Sequence, residues 1–571
     1  MATQETWSRA AQLTRLTEGT FDLLIIGGGI TGAGLAREAT LAGLRTALVE
    51  RDDFASGTSS RSSRLIHGGV RYLEHGHLGL VFESSQERRR LLTLAPHLVR
   101  PLAFTWPVYA GARVPRWKLR AGLALYDALA LFRNVGRHEA LSREEVLRRE
   151  PALDSHGLRG GARYWDAATD DSRLTAMTIL AAAEVGAASG SVMCNHVEVV
   201  RGLYEAGRVV GVEVRDRLTR PHAQQSMAIR ARVVVNATGP WSDTTLALLD
   251  AGNDKAQVAR GTQVLGSAGA HLCVPRERVG HHEAITLVSP VDGRVMFVLP
   301  SGRHTVIGTT EHPAPRGPDD IRATEADVHY LLDSVNQRFP DAQLTPDDVI
   351  SAWSGIRPLA ARRATSGAGA GSASREHVVE RVQPGVLSVT GGKLTTYRAM
   401  AADILRHVMQ ALGQAHTRVQ QERSLETPLP GGEQAQELVL HEAQLACGHS
   451  DVARRLAQAY GSRWRAVWSP TVDDESLCER LVPELPYVMA EVRHAVRAEM
   501  AATLSDVLVR RTHLAFEQRD FGLSVAPRVA DRMQRELGWT NAERDEELAR
   551  YATDVARLFR IDQTNSSALR S

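Results

Sequence analysis

The chain has 571 residues and nearly balanced charge, 68 Lys plus Arg against 66 Asp plus Glu. That length implies two or three domains and room for a large ligand, while the absence of a long single-sign block argues against nucleic-acid binding. Cys194, Cys273, Cys447 and Cys478 lie far apart with no CxxC pair, so the sequence suggests a reducing compartment, no disulfide framework and no metal site.

Residues 1–19 are polar and lack a signal-peptide core, and no run of about 18 apolar residues follows anywhere. "FDLLIIGGGITGAGLAREATLAGLRTALVERDD" then reads as strand, turn, helix, strand, with strands over 23–26 and 44–49 and a helix over 30–42. The turn contains Gly27-x-Gly29-x-x-Gly32. Gly27 allows the tight turn, Gly29 lets a pyrophosphate reach backbone N–H groups, and Gly32 lets the helix pack on the sheet. Glu50 ends the second strand, where a carboxylate accepts ribose hydroxyls and disfavours an NADP phosphate. The motif predicts a dinucleotide and leaves FAD and NAD both open.

Residues 59–76, "SSRSSRLIHGGVRYLEHG", are dense in serine, arginine and histidine and read either as a solvated loop or as a site. Within 101–153, "VPRWKLRAGLALYDALALFRNVGR" places basic residues and Trp117 around a short apolar helix, suited to lie on a membrane or to be a buried cap. "ARVVVNATGPWSD" (231–243) runs an apolar strand into Ala237-Thr238-Gly239. It is similar to the strand that returns to the nucleotide in glutathione-reductase-like flavoproteins, though an ordinary buried strand reads the same way. From about 415 the glycines thin out, and Val492, Val496, Met500, Leu504 and Leu508 recur at helical spacing.

With the 59–76 run placed just after Glu50, the sequence closely resembles the FAD-dependent glycerol-3-phosphate dehydrogenases. "LAPHLVRPL" (94–102), "DDSRLT" (170–175), "NATGPW" (236–241), "IGTT" (307–310), "SGIRPL" (354–359), "SREH" (374–377), "GGKLTTYR" (391–398) and "TPLPGG" (427–432) follow in the family's order. The resemblance implies an α/β fold: a discontinuous FAD-binding doubly wound domain of D-amino-acid-oxidase type over 20–414. It is interleaved with an antiparallel-sheet substrate domain, its cap mainly 101–153 and 255–350, and followed by an all-α domain over 415–571.

The implied reaction oxidises sn-glycerol 3-phosphate at C2 to dihydroxyacetone phosphate, with hydride passing to flavin N5 and electrons to a membrane quinone. Arginine forks suit a phosphate dianion. Arg357 and Arg375 match the family's substrate arginines, and Arg71 and Tyr72 a further pair. The C2 hydroxyl needs a proton acceptor; His67 is the first choice, and His271 and Arg71 are the alternatives. Thr58, Ser59 and Ser62 are expected along the cofactor, with Gly68 and Gly69 making room for its ring. Ala237 and Gly239 meet the nucleotide, while Gly392, Lys393, Leu394 and Thr395 face the flavin's carbonyl edge.

Arg61 and Arg64 stay unassigned. Ala268 stands where bacterial members often carry Lys, Glu311 replaces the usual Asp, and residues 360–374 form a Gly/Ser/Ala-rich insertion expected to be a surface loop. The resemblance also implies a cytoplasmic enzyme, peripheral on the inner face of the membrane, and admits a homodimer. Two other readings remain: a soluble oxidase that passes electrons to O2, and a dinucleotide-binding regulator without chemistry.

Overall fold

The apolar run after position 20 becomes strand β1 (Thr20–Ile26), followed by helix α1 (Ile30–Leu41) and strand β2 (Thr46–Val49). β1 sits inside a parallel array completed by β3 (Val192–Cys194), β4 (Ser226–Asn236) and β5 (Val386–Thr390), in the order β5-β4-β1-β2-β3. Its side chains alternate between two cores. Leu23 and Ile25 pack with Leu35, Ala36 and Ala39 of α1, while Leu24 and Ile26 pack with Ala47 and Val234 on the other face. Burial on both faces is why the strand reads as a continuous apolar run. Ile26 pairs with Asn236, so Ala237–Gly239 leave the sheet beside Gly27. Stretches about 200 residues apart in sequence thus meet at the carboxyl ends of parallel strands, where α/β sheets bind ligands. The computed structural model describes residues 8–131, 134–218, 226–251, 264–314, 317–360, 377–415 and 417–563.

A second, ten-stranded sheet takes strands from 65–66, 100–109, 139–141, 158–168 and 264–360, reaching beyond 101–153 and 255–350. Its pairings are antiparallel except where Ala284–Val288 lies parallel to Arg100–Tyr109. Strand Val264–Pro275 pairs with Ser351–Ala360, setting His271 opposite Trp353 and Ser267 opposite Arg357. Leu65–Ile66 pairs with the end of Leu158–Ala168, which carries the serine-rich run from the first sheet to the second.

The apolar segment after Pro115 is helix α2 (Arg116–Leu129). Beyond 415 the described chain is helical, ending in α3 (Asn541–Phe559). The spacing from Val492 to Leu508 does not form one helix. Helix Met489–Ala498 stops, Met500 takes a φ of 58°, and the chain rewinds as a π-helical turn over Asp506–Arg511. The break turns charged side chains inward against the cofactor-domain side. Arg173 meets Glu499 at 2.7 Å, Arg510 and Arg511 meet Asp53 at 2.6 and 2.7 Å, and His196 meets Asp506 at 2.9 Å. A continuous amphipathic helix would leave such buried charges unpaired, which costs several kcal/mol per ion.

Candidate active site

A cavity of about 900 Å³ opens between the two sheets and the C-terminal helices, a size suited to a cofactor. One end is the glycine turn. Gly27 adopts φ +111°, and an added Cβ at Gly32 would lie 1.9 Å from Gly27 O, so α1 packs directly on the turn. Gly29, Ile30 and Thr31 bring the start of α1 to the cavity wall. Gly29 offers no side-chain cap, and Ser59 Oγ accepts the Ile30 N–H at 2.9 Å. The other first-turn amides and the helix dipole are arranged for a phosphate.

Glu50 lines the same end and accepts N–H bonds from Gly28 at 2.7 Å and Asp52 at 2.9 Å. Burial and nearby Asp52 raise its pKa against those two bonds. Ala237, Gly239, Thr58, Ser59, and residues 392–395 also line the cavity. A dinucleotide cradle, an acid at the ribose position and a second glycine turn at the far end fit an extended FAD.

The other end is built on the second sheet. His271 is buried, lies parallel to Trp353 with ring centroids 5.5 Å apart, and shares a hydrogen bond with Ser63 Oγ at 2.8 Å. Its Nδ1 has no hydrogen-bond partner among the described residues. Burial, with Arg357 and Arg64 nearby, pushes its pKa down to about 3, so the ring is neutral at physiological pH. Arg357 stands next to it, 3.4 Å from Thr309 Oγ1, 3.5 Å from Ser267 Oγ and 3.7 Å from Glu311. Glu311, which replaces the usual Asp, thus keeps a carboxylate within ion-pair distance of Arg357. His67 and Tyr72 face the cavity between the two ends. His67 N donates to Thr395 Oγ1 at 3.1 Å, and Lys393 Nζ lies 3.9 Å above the Tyr72 ring.

The structure therefore brings His67, Tyr72, His271, Arg357, Lys393 and Thr395 to one cavity. Three expectations change, and others fall outside the described residues. Ser62 lines the cavity as expected, but its Oγ donates to Asp171 at 2.6 Å, so that proton is not turned to a cofactor. Gly68 and Gly69 do not line the cavity: a Cβ at either would lie 2.2 Å from Tyr126 Oη or from the Tyr72 ring, so tight packing within the protein requires glycine there. Arg375, most of the 360–374 insertion and the side chain of Arg71 lie outside the described residues. The C-terminal region, which offered no recognisable site residue, contributes Arg510, Arg550 and Arg557 to the wall.

Arg61, unassigned from sequence, lies on the same wall; burial and repulsion by Arg557 and Arg510 lower its pKa to about 10. Arg64 stacks over Trp353 and Phe516 instead, 5.5 and 4.8 Å from the ring centroids. No local pattern announces either placement, because each depends on strands and helices hundreds of residues away.

Comparison with known proteins agrees with this geometry. Residues 22–398 match the family model for FAD dependent oxidoreductases, and residues 423–544 match the C-terminal domain of alpha-glycerophosphate oxidase. A glycerol-3-phosphate dehydrogenase of Synechocystis is 37% identical over 93% of this chain and 95% of that protein. Glycerol-3-phosphate dehydrogenase 2 of Mycobacterium tuberculosis is 38% identical over 96% of this chain and 90% of its own length. The crystal structure of the Bacillus halodurans glycerol-3-phosphate dehydrogenase, complexed with FAD, superposes with a TM-score of 0.76 at 30% identity, covering 97% of this chain and 98% of that one. The chain belongs to the FAD-dependent glycerol-3-phosphate dehydrogenase family.

Proposed function

We propose that the protein oxidises sn-glycerol 3-phosphate to dihydroxyacetone phosphate and delivers the electrons to a membrane quinone. The observation that carries this reading is the meeting, in one cavity, of a dinucleotide cradle with Arg357, His271 and His67. Bound FAD supplies the hydride acceptor, its N5. Arg357 grips the phosphate with a planar fork, and Arg375 supplies the second fork.

Of the two histidines, His67 accepts the C2 hydroxyl proton. Protonating His271, with its pKa near 3, would cost about 5 kcal/mol at pH 7, so it acts as a neutral hydrogen-bonding wall. Lys393 and the start of helix Tyr397–Leu412, which has no side-chain cap, provide positive potential where reduction gathers negative charge.

Helix α2 supports the membrane side of the reading. Trp117 is 73% exposed, and exposed Leu125, Leu131 and Val135 follow it among Arg116, Lys118 and Arg120. Exposed apolar side chains that follow a cluster of cations around Trp117 suit an anionic bilayer surface. No helix of the described residues is long and apolar enough to cross a membrane. The likeness of residues 423–544 to an oxidase domain favours a second reading, in which O2 takes the electrons.

Anaerobic addition of sn-glycerol 3-phosphate to the purified flavoprotein tests the proposal. Bleaching of the flavin band, followed by rapid reoxidation on adding a soluble quinone, is the expected result. A protein without FAD, or a spectrum that stays oxidised, overturns it; faster reoxidation by air than by quinone selects the oxidase.

A further inference from the structure

The turn that carries His67 is held by side chains on two successive amides. His67 N donates to Thr395 Oγ1 at 3.1 Å, and Gly68 N donates to Asp166 Oδ1 at 3.0 Å. The same Asp166 oxygen accepts the Tyr126 hydroxyl at 2.6 Å and pairs with Arg88. Arg88 also donates to Tyr126 Oη at 2.7 Å, to Trp165 O at 3.3 Å, and to Asn134. Asp166, Arg88 and Tyr126 are all buried.

The contact with the turn is steric as well as polar. A Cβ on Gly68 would lie 2.2 Å from Tyr126 Oη and 2.7 Å from Ser85 Oγ, so the hydroxyl forms a wall directly behind the residue that follows His67. The cluster lies behind the turn and not in the cavity, since none of Asp166, Arg88 and Tyr126 lines it. It therefore acts on the chemistry only through the turn.

We propose that Asp166, backed by Arg88 and Tyr126, is a positioning clamp that sets the His67 imidazole against the substrate C2 hydroxyl. The proposal rests on His67 being the proton acceptor. A carboxylate oxygen that takes three donors, one of them a guanidinium, fixes the Gly68 amide more tightly than a neutral acceptor would. Burial keeps the Tyr126 phenol protonated and hence a donor. Proton transfer falls steeply when the base moves out of hydrogen-bond reach; a displacement of about 1 Å costs on the order of a hundredfold. Tyr126 is a buried residue of α2, the helix that also exposes Trp117 and Leu125.

The test is a double-mutant cycle on anaerobic, single-turnover flavin reduction in the intact flavoprotein. Tyr126→Phe removes one donor and keeps the ring, and is expected to slow reduction about tenfold while FAD content and the substrate dissociation constant stay within twofold. In a His67→Asn background, Tyr126→Phe should produce no further loss, because a clamp has no effect once the base is absent. Asp166→Asn should give a larger loss of the same kind; if that variant does not fold, the Tyr126 cycle decides alone.

A Tyr126→Phe rate within twofold of wild type, beside a slow His67→Asn, refutes the clamp. So does an equal loss in both backgrounds, which would mark Tyr126 as merely structural. A His67→Asn rate equal to wild type refutes the proton-acceptor reading itself, and the clamp with it.

Discussion

Replacing Gly32 with alanine tests the cofactor cradle most directly. The new Cβ would lie 1.9 Å from Gly27 O, 3.1 Å from Gly27 C and 3.3 Å from Ile25 Cγ2. Two of these neighbours are backbone and cannot swing away. Since such contacts do not form below 3.0 Å, α1 must move off the turn by about 1 Å. Overpacking of that kind costs about 1–3 kcal/mol, and here the displaced atoms are the amides arranged for the pyrophosphate. If that cost falls on the holo state alone, FAD binding weakens about 5- to 150-fold.

The assay is a fluorescence titration of FAD onto flavin-free protein, with thermal melting of both forms alongside. Gly122→Ala is the control, because a Cβ there meets nothing within 4 Å inside α2. That change should leave FAD affinity intact and gain up to about 1 kcal/mol from helix propensity. A Gly32→Ala protein that binds FAD within twofold of wild type and melts with it would refute the cradle as described.

Arg357→Lys should keep its FAD but need about 10- to 100-fold more sn-glycerol 3-phosphate to bleach the flavin anaerobically, since a point charge replaces a bidentate fork. Equal half-saturation would exclude Arg357 from phosphate binding. Glu499 carries a pH prediction. Burial raises its pKa, but Arg173 and His494 overcome that and hold it at about 2, below the ordinary 4.5. A depressed carboxyl contributes stability fully above pH 4.5 and loses it as pH falls from there toward 2. Calorimetry should show a melting temperature that is flat near neutrality and falls below pH 4.5, with Glu499→Gln less stable at neutral pH and less sensitive to acid; equal acid sensitivity of the two proteins would count against this pair. Trp117→Ser should weaken binding to anionic vesicles several-fold and leave flavin reduction in solution unchanged. Unaltered vesicle binding would move the membrane contact elsewhere.

Much of the cofactor half could be read from local pattern. Glycine spacing, a doubly buried strand and a terminal acid are short-range features, and Gly27, Gly29 and Glu50 stand on the cavity wall while Gly32 packs beneath it. The substrate half was legible mainly through ordered motifs. His271, Arg357 and Tyr72 reach the cavity, yet nothing near them in sequence reveals that Trp353 stacks on His271 or that Ser63 bonds it. Local reading misled where packing was the real constraint. Gly68 looked like space for a ring and is space for Tyr126, and Ser62 looked like a cofactor donor but serves Asp171. The helical spacing from Val492 to Leu508 is shared between two helical segments, and charges at 499, 506, 510 and 511 find their partners at and after the break between them.

By itself the sequence determined the β1–α1–β2 unit, the family and the residue types that do the chemistry, because each follows from neighbours within a few turns of chain or from motif order. The tertiary structure alone decided that His271 is desolvated and that the Gly68 amide bonds to Asp166, because both come from strands distant in sequence. The tertiary structure also decided that the C-terminal helices wall the cofactor cavity, an arrangement set by the buried ion pairs between Asp53, Arg173 and His196 on one side and Glu499, Asp506, Arg510 and Arg511 on the other.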